Sequence, residues 1–496
     1  MKRGLIATAA FAALPIARLV ANNPSEALPI GRYAVYWVLT VGVVAVALLL
    51  VERANPVIAD RIAIATALSV FAMGYLAVAL QSALHIPAIL AFDASVWLGV
   101  ALVLVATLLS RWAFVRNLAP VLAVLLLVYP SVEIVLHSLE PSGDLVDIDS
   151  RALDIEPAVT PNIYWIVTDG YTGPSVMVQD YGYQAERAFV AKLEQHGFQV
   201  SDHALAAYPM THLSMSSTLA MDYLAESGDD ISDPRPFYET VQGNNALVAT
   251  LHTWGYKFAL YPGGLYAATQ CSGLEDVCLN DVSLDSDDWA LLSMTPIARL
   301  IEGPRTAQRH ADLSNPLSIL SSLSDHPTPP PRFVVAHLLD PHPPYYRTGD
   351  DCRVRNVSFN IGAPWEPDDE YVTAVRCLNE LLESMIERVI DADPQAVIVI
   401  QGDHGPNRGI GFEQGHDVSS WTDEQVRIRF NVLSAIRLPE GCQTPEVMSL
   451  VNTFRVVLAC LSGSEIPLLP IRIFAVNSYP GDVLEISPPM EDEARS

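Results

Sequence analysis

Two short apolar stretches of the sequence each lead directly into side chains that bind metal ions. Residues 162–171 are NIYWIVTDGY, and residues 397–406 are VIVIQGDHGP. Runs this short and this rich in β-branched residues are typical of buried parallel strands. In open α/β sheets, ligands bind beyond the carboxyl ends of such strands. We therefore expect Asp169, Asp403 and His404 to meet at one edge of a sheet, where two carboxylates and an imidazole suit a divalent cation.

Strands and helices alternate in the sequence around these two stretches. An amphipathic helix that ends at Gly197 is predicted over 184–196, and another over 369–391. Further strands are predicted over 256–261, 332–338, 430–436 and 471–476. This alternation predicts an α/β domain with a mostly parallel central sheet and helices on both faces. The domain is expected over 161–480, with an acidic tail over 481–496.

The first third of the chain is dominated by apolar segments. Membrane spans are predicted over 5–21, 33–51, 62–80, 95–109 and 117–137. Residues 1–137 are thus predicted to be a transmembrane helix bundle of about five helices, joined to the domain by a linker over 138–160. Pro130 and Glu133 predict that the outer end of the fifth span is irregular or lines the bundle.

The loop charges predict how these spans are oriented. Lysine and arginine residues concentrate on one side of the spans, at Lys2, Arg3, Arg53, Arg61, Arg111 and Arg116. The positive-inside rule places that side in the cytoplasm, and five spans then place everything after residue 137 outside. The first span also fits a signal peptide, and its cleavage would leave the domain on the same side.

The charge and cysteine content narrow the choice of partner and compartment. The 29 Lys and Arg residues stand against 56 Asp and Glu residues, a formal net charge of −27. A chain this acidic is unsuited to nucleic acid and to electrostatic docking on anionic lipid. All six cysteines follow residue 160, and an even count in an oxidising compartment predicts disulfides, with 15 connectivities open. Pairing of sequence neighbours is the simplest, as 271–278, 352–377 and 442–460.

A nucleophile is suggested by residues 208–219, YPMTHLSMSSTL, where a loop leads into a helix near Thr211. Free backbone N–H groups and the helix dipole favour an anion at that position, such as a phosphate under attack. A cation that contacts the same hydroxyl would favour its alkoxide form. The alternative is a threonine that only caps the helix.

Taken together, these segments resemble the alkaline phosphatase superfamily in its sulfatase-like branch. The chain looks most like membrane-anchored bacterial proteins similar to lipoteichoic acid synthases and phosphoethanolamine transferases. The resemblance spans about 160–480 and is strongest in four blocks, which are NIYWIVTDGY at 162–171, YPMTHLSMSSTLAMDYL at 208–224, VVAHLLDPHPPY at 334–345 and VIVIQGDHGP at 397–406. It implies a bacterial inner-membrane protein with a periplasmic catalytic domain.

The resemblance also implies roles for individual residues. Asp169, Asp403 and His404 match metal ligands, and Thr211 matches a threonine nucleophile that contacts the metal as well. His342 matches a histidine that contacts the substrate or protonates the leaving group. The implied cofactor is one divalent metal ion, zinc or manganese. Arg408 and His416 are further candidates for substrate binding, whereas His337, inside an apolar strand, is predicted to be a core histidine.

One departure from the family pattern bears on the substrate. Sulfatases proper carry Cys or Ser in a C/S-x-P-x-R motif that is oxidised to formylglycine, whereas residues 210–217 are MTHLSMSS. A true sulfatase is therefore not expected. The resemblance, together with the predicted location outside the membrane, implies a metal-dependent enzyme that acts on phosphate esters and transfers a phospholipid headgroup to an envelope glycan or lipid. Two alternatives stay open, namely a phosphatase or phosphodiesterase with water as acceptor, and a non-catalytic envelope binding protein.

Overall fold

Strands with both faces covered by helices organise the C-terminal part of the molecule. The computed structural model of the protein describes residues 2–22, 30–71, 104–105, 107–139, 148–229, 231, 233–263, 267–280, 304–355, 365–410, 421–476 and 483–488. These residues form two compact units, one before residue 140 and one from residue 148 onward.

The described strands all belong to the second unit. They are β1 (Ile163–Thr168), β2 (Phe198–Ser201), β3 (His203–Leu205), β4 (Lys257–Gly263), β5 (Val277–Cys278), β6 (Arg332–Leu338), β7 (Arg347–Thr348), β8 (Arg353–Val354), β9 (Val397–Gly402), β10 (Ser434–Arg437), β11 (Val447–Ser449), β12 (Ile473–Val476) and β13 (Val483–Ile486).

The described α-helices occur in both units. They are α1 (Lys2–Asn22), α2 (Ile30–Ala54), α3 (Pro56–Phe71), α4 (Ala113–Leu139), α5 (Pro174–Gln179), α6 (Glu186–Gln195), α7 (Thr211–Ala220), α8 (Arg235–Val241), α9 (Ala246–Thr253), α10 (Pro304–Leu313), α11 (Pro316–Asp325), α12 (Asp368–Ala392), α13 (Asp423–Phe430) and α14 (Thr453–Ser462).

The central sheet has seven strands within the described residues, in the order β2-β10-β9-β1-β6-β4-β5. Strands β9, β1, β6, β4 and β5 are parallel, which confirms the predicted mostly parallel sheet. Strand β10 pairs antiparallel with both β9 and β2. It begins only at Ser434, later than the predicted strand 430–436, because Phe430 is still the last residue of α13.

The last strands form a separate small sheet. β12 pairs antiparallel with β13 and not with the central sheet. β13 lies within the stretch that the sequence assigns to an acidic tail, so its residues 483–486 contribute to the structure of the domain. Periodicity predicted the β12 strand correctly, but it carries no information about the partner of a strand.

The two faces of β1 bury alternate residues against different helices. Tyr164 and Ile166 pack with α6 and α12 on one face, and Trp165 and Val167 pack with α7, α9 and α14 on the other. Successive side chains of a strand point to opposite faces, and full burial of one large apolar side chain stabilises a fold by about 1.5–3 kcal/mol. The buried sheet is therefore a rigid support for the loops at its edges.

A buried glutamine fixes the register of the central strands. The Trp165 indole donates to Oε1 of Gln401 at 3.0 Å. The Gln401 amide nitrogen donates to the hydroxyls of Ser434 and Thr453, each at 2.9 Å. This side chain therefore links β9 to β1, to β10 and to α14, and its hydrogen-bonding capacity is used inside the core.

The three disulfides pair sequence neighbours, as predicted. They join Cys271 to Cys278, Cys352 to Cys377, and Cys442 to Cys460. The second connects the turn between β7 and β8 to α12, and the third connects the loop after β10 to α14. Such cross-links restrict the unfolded chain, typically for a gain of about 2–4 kcal/mol each.

The N-terminal unit consists of apolar helices. Two stretches are long and apolar enough to cross a membrane, Tyr33–Arg53 and Ala113–Leu136, and Leu5–Ala21 is a shorter apolar helix. They coincide with three of the five predicted spans. The other two predicted spans are 62–80, which lies partly outside the described residues, and 95–109, which lies mostly outside them, since 72–103 is not described. Of the two alternatives for the outer end of the fifth span, an irregular backbone is wrong, because α4 continues through Pro130 to Leu139. That this end lines the bundle stays a prediction.

Candidate active site

The loop after β1 holds Asp169 at the edge of the sheet. The Asp169 amide donates to the carbonyl of Leu338, the last residue of β6, at 2.9 Å. Gly170 follows with a φ of +81°, and a Cβ there would lie 2.3 Å from the Trp365 ring, so only glycine fits. The Tyr371 hydroxyl donates to Gly170 O at 2.9 Å. The Asp169 side chain is therefore held by contacts on both sides of its loop, and the residue is only 5% exposed.

The loop after β9 is tied to the same place. Oδ1 of Asp403 accepts from the amides of Gly170 and His404, at 3.0 and 2.9 Å. Asp403 and His404 are both buried. The two loops that the sequence singled out thus contact each other directly, although 233 residues separate Gly170 from Asp403.

The third element is α7, which begins at Thr211. The residue before it, Met210, is extended and gives the helix no side-chain cap. The start of α7 favours a bound anion, because the first N–H groups of a helix have no intrahelical partner. The Ser214 hydroxyl donates to Asp403 O at 2.6 Å and so fastens this helix end to the loop after β9. The interpretation of Thr211 as the first residue of a helix is confirmed.

These loops bring four predicted residues into one buried cluster. Thr211 Oγ1 lies 3.2 Å from His404 Nε2. The same nitrogen lies 3.6 Å from Asp169 Oδ1 and 3.4 Å from Asp403 Oδ2. His404 Nδ1 faces Gly405 O at 3.1 Å. Because a carbonyl oxygen can only accept, Nδ1 carries the proton, and Nε2 turns its lone pair toward the carboxylates.

The cluster fits a cation. Asp169 Oδ1 and Asp403 Oδ2 are buried, and no hydrogen-bond donor among the described residues reaches them. Buried carboxylate oxygens without donors are unfavourable, and two of them facing an imidazole lone pair repel one another. A divalent ion among them would remove both penalties, and carboxylate oxygens with an imidazole nitrogen are suitable ligands for zinc or manganese.

The pKa shifts in the cluster agree with this arrangement. Burial, and then the neighbouring Asp169 carboxylate, raise the pKa of Asp403 to about 7. Burial alone would raise the pKa of Asp169 too, but its electrostatic interaction with His342, a hydrogen bond with His337 and the nearby His404 outweigh burial and lower that pKa. Burial, and then the Arg429 cation, lower the pKa of His404 well below its usual value, so its ring is neutral at pH 7.

His337 was interpreted from the sequence as a core histidine, and the structure also places it beside the cluster. It is buried, and its Nε2 lies 3.5 Å from Asp169 Oδ2. One ligand atom each from Asp169, His337 and Asp403 lies within 4.8 Å of the others. The available signal was its position, since β6 pairs with β1 and places His337 opposite Val167, near the end where Asp169 follows.

His342 lies at the rim of the cluster. It is half-buried, and its ring packs edge-on against Trp365 with 4.7 Å between ring centroids. Its Nδ1 donates to Pro343 O, so the lone pair of the neutral ring is on Nε2. Burial lowers the pKa of His342, although Asp169 is near enough for its charge to oppose this shift. The neutral form therefore predominates at pH 7.

Of the remaining two candidates, the structure describes only Arg408. Arg408 pairs with Asp368 at 2.9 Å and lies over the ring of Tyr181. It lines a cavity of about 650 Å³ whose other walls include Glu366 and Glu424. Its assignment to substrate binding stays a prediction. His416 lies outside the described residues.

Comparison with known proteins gives one family match that covers more than half of the chain. The sulfatase family model matches residues 161–464. Comparison with curated protein sequences gives no match.

Solved structures give further similarities. The periplasmic domain of EcEptC from Escherichia coli is 13% identical with a TM-score of 0.42, over 68% of this chain and 96% of that one. Lipooligosaccharide phosphoethanolamine transferase A from Neisseria meningitidis is 12% identical with a TM-score of 0.43, over 92% and 95%. A phosphonate monoester hydrolase from Agrobacterium radiobacter is 12% identical with a TM-score of 0.38, over 64% and 80%.

Proposed function

We propose, from the premise that the chain belongs to the sulfatase family, that it is a membrane-anchored phosphotransferase with Thr211 as its nucleophile. The substrate class is a phosphate ester, and the proposed reaction moves a phospholipid headgroup to an alcohol of an envelope glycan or lipid. The observation that carries the proposal is Thr211 Oγ1, which lies at an uncapped helix start and 3.2 Å from His404 Nε2.

A phosphate rather than a sulfate ester follows from the residue at the nucleophile position. Thr211 cannot become formylglycine, the oxidised Cys or Ser of sulfatases proper, because threonine carries a methyl group at that carbon. A threonine hydroxyl at a helix start can instead form a phosphoester, as serine and threonine nucleophiles do. The uncapped N–H groups of α7 would then face the phosphate oxygens.

Asp169, Thr211, Asp403 and His404 would hold one divalent ion, with His337 beside them. When bound, such an ion supplies Lewis-acid polarisation of a phosphoryl oxygen. The protein itself contributes the positions of these groups, because two backbone loops and one helix start are fastened to each other. Burial also limits the access of water to the cluster, which strengthens electrostatic interactions within it.

The proposed first step forms a bond between Thr211 Oγ and phosphorus and breaks the bond from phosphorus to the lipid oxygen. The Thr211 hydroxyl proton would pass to the Asp403 carboxylate, because the one lone pair of His404 Nε2 would face the ion. His342 would donate a proton to the departing lipid oxygen from its imidazolium form, in which Nε2 carries a proton, and would be left neutral. The product of this step is a phosphothreonine that still carries the headgroup.

The proposed second step transfers the headgroup. The acceptor oxygen bonds to phosphorus while the bond to Thr211 Oγ breaks, Thr211 Oγ recovers the proton held by Asp403, and the acceptor proton moves to a base. His342 suits this task because its neutral form predominates and its lone pair is on Nε2. The same histidine would thus act as acid in one step and as base in the other.

The proposed location rests on the N-terminal helices. Two of them are long and apolar enough to span a bilayer. With the loop charges described above, they support a domain on the periplasmic side of a bacterial inner membrane, where phospholipid headgroups would be available as donors. The remaining predicted spans would make the chain a multi-pass protein.

The test is the mass of the peptide that contains Thr211 after the full-length, zinc-loaded protein is mixed with phospholipid vesicles. A mass increase equal to the phosphoryl-linked headgroup on Thr211 is expected, and that mass identifies the donor. The Thr211→Val variant should show no increase. Release of free headgroup phosphate without any labelled acceptor would indicate the hydrolase, and an unmodified Thr211 under all conditions would contradict the proposed mechanism.

A further inference from the structure

A buried arginine joins the loop before the nucleophile to the loop after the metal ligands. Arg429 lies in the last turn of α13 and is only 4% exposed. Its Nη1 donates to Gly405 O and its Nη2 donates to Pro209 O. Gly405 directly follows His404, and Pro209 precedes Thr211 by two residues. One guanidinium therefore bridges the two segments that must meet for Thr211 to react.

The link to Gly405 is reciprocal. The Gly405 amide donates to the Arg429 carbonyl at 2.7 Å, while its own carbonyl accepts from the Arg429 side chain. A Cβ at residue 405 would lie 1.8 Å from Ile428 O, so the close approach of these two backbones requires glycine. Because His404 Nδ1 also faces Gly405 O, at 3.1 Å, the carbonyl that Arg429 holds is the one that orients the His404 ring.

The shape of the side chain matters as well as its charge. A guanidinium is planar and presents its donors in a fixed fork, which lets it bond two carbonyls in set directions. A lysine ammonium is a single point that cannot hold both at once with the same geometry. Burial lowers the pKa of Arg429 to about 10, and Asp403 and Asp169 oppose that shift, so the group stays charged at pH 7.

We propose that Arg429 is a positioning residue for the reaction of Thr211. Its fork sets the separation between the Thr211 segment and the His404 segment, and it thereby aligns the nucleophile with the ligand atoms. The inference rests on the proposed function, since it assigns Arg429 a role in the same site. It would touch neither substrate nor metal and would act through Pro209 and Gly405.

The chain offers a matched control at the other end of the sheet. Arg437 ends β10 and pairs in register with Ile398, near the start of β9. Its guanidinium also bridges backbone carbonyls, those of His196, Ala396 and Pro394, at 3.1, 2.7 and 2.8 Å. The two arginines therefore make the same kind of bond, but only Arg429 reaches segments that carry site residues.

The experiment compares Arg429→Lys and Arg429→Met with Arg437→Lys and Arg437→Met in the full-length protein. Three quantities are measured: the melting temperature, the zinc dissociation constant of metal-free protein by chelator competition, and the rate of phosphorylation of Thr211. We expect both lysine variants to melt at lower temperature. Only Arg429→Lys should also bind zinc more weakly and modify Thr211 more slowly, each by about 10–100-fold, the usual range for groups that orient metal ligands.

Each outcome decides the question. If the two lysine variants change zinc affinity and rate equally, or change neither, Arg429 has no positioning role. If Arg429→Met does not fold, the lysine variant still supplies the comparison. If the wild-type protein never modifies Thr211, the proposed function fails, whereas a zinc affinity lost in Arg429→Lys and kept in Arg437→Lys would still support the positioning role.

Discussion

The two ends of the central sheet use polar residues in opposite ways. At the amino ends of β1 and β6, the Asn162 side chain donates to Asp393 at 2.6 Å and accepts from the Arg332 amide at 3.0 Å. At the carboxyl ends of β1 and β9, Asp169 Oδ1 and Asp403 Oδ2 are buried, and the part of the chain that the structure describes offers them no donor. Since buried polar groups are normally satisfied, the second end is arranged for a ligand and the first end for stability.

The contrast also explains why the same strands can serve both purposes. The register that Gln401 fixes in the core holds both ends of β1 and β9 in place. Groups at the amino end can then complete their hydrogen bonds within the protein. Groups at the carboxyl end can be left without some of their hydrogen bonds, because a bound ion would compensate for the free-energy penalty of burying them.

The largest expected effect concerns the nucleophile at the carboxyl end. Thr211→Ala removes the only atom that forms the covalent intermediate, so headgroup transfer should fall by roughly 10⁴-fold or more. Thr211→Ser keeps a hydroxyl and should retain measurable transfer. The check is the rate of transfer from labelled phospholipid. Equal rates for the alanine variant and the wild type would remove Thr211 from the mechanism.

Metal binding should stabilise the wild-type protein and not a variant that lacks one carboxylate. At free zinc about a thousandfold above the dissociation constant, the free energy of unfolding should rise by about 4 kcal/mol. Asp403→Asn should lose this gain because a neutral amide group replaces one of the carboxylate ligands. Thermal unfolding with zinc and with chelator measures both. A zinc-induced shift of the same size in Asp403→Asn would place the ion elsewhere.

Glu186 illustrates the cost in folding free energy of burying a carboxylate. Asp169 and Asp403 would carry the same kind of cost at the carboxyl ends of the strands when no ion is bound. Glu186 is fully buried and accepts hydrogen bonds from the Tyr171 hydroxyl and the Asn379 amide, and burial raises its pKa to about 7. The pKa of Glu186 is thus higher in the folded protein than in the unfolded chain, where it is about 4.3. The contribution of this group to the free energy of unfolding is fully present below about pH 4.3 and is lost as the pH rises through 7.

Glu186→Gln should therefore be more stable than the wild type at pH 8, by up to roughly 3 kcal/mol, and similar to it at pH 4.5. Glutamine can keep both contacts if its oxygen accepts from Asn379 and its amide nitrogen donates to the Tyr171 oxygen. The Tyr171 hydroxyl can then donate to Asn379 Oδ1, which lies 2.8 Å away. Urea unfolding at several pH values, on metal-free protein, gives the comparison. A difference that does not depend on pH would show that Glu186 is not the titrating group.

The smallest effect is expected at the amino end. Asn162→Ala leaves the Asp393 carboxylate and the Arg332 amide without this partner and should lower the free energy of unfolding by about 1–3 kcal/mol. Zinc affinity and transfer rate should stay at wild-type values. Asn162 precedes β1 and Asp169 follows it, so the full length of the strand separates the two residues. A change in zinc affinity would mean that the two ends are coupled through the sheet.

Much of the site could be predicted from local sequence. The apolar runs before Asp169 and Asp403 predicted β1 and β9, and the rule for carboxyl ends predicted that their loops would meet. The helix start at Thr211 followed from the change from loop to helical pattern. These predictions succeeded because each depends on a few neighbouring residues and on one general property of parallel sheets.

The remaining features depend on contacts between distant segments. The antiparallel direction of β10 and the pairing of β12 with β13 are set by partners that periodicity does not identify. His337 looked like a core residue because its strand is apolar throughout, and only the register with β1 shows that it lies beside Asp169. Arg429 gave no signal at all, since its two acceptors are backbone carbonyls at positions 209 and 405.

The most direct test of the account is anomalous diffraction at the zinc absorption edge from crystals of the full-length protein loaded with zinc. We expect one strong peak within bonding distance of Asp169, Thr211, Asp403 and His404. A fully loaded protein whose zinc lies away from these four side chains, or a protein that binds no zinc or manganese in solution, would contradict it.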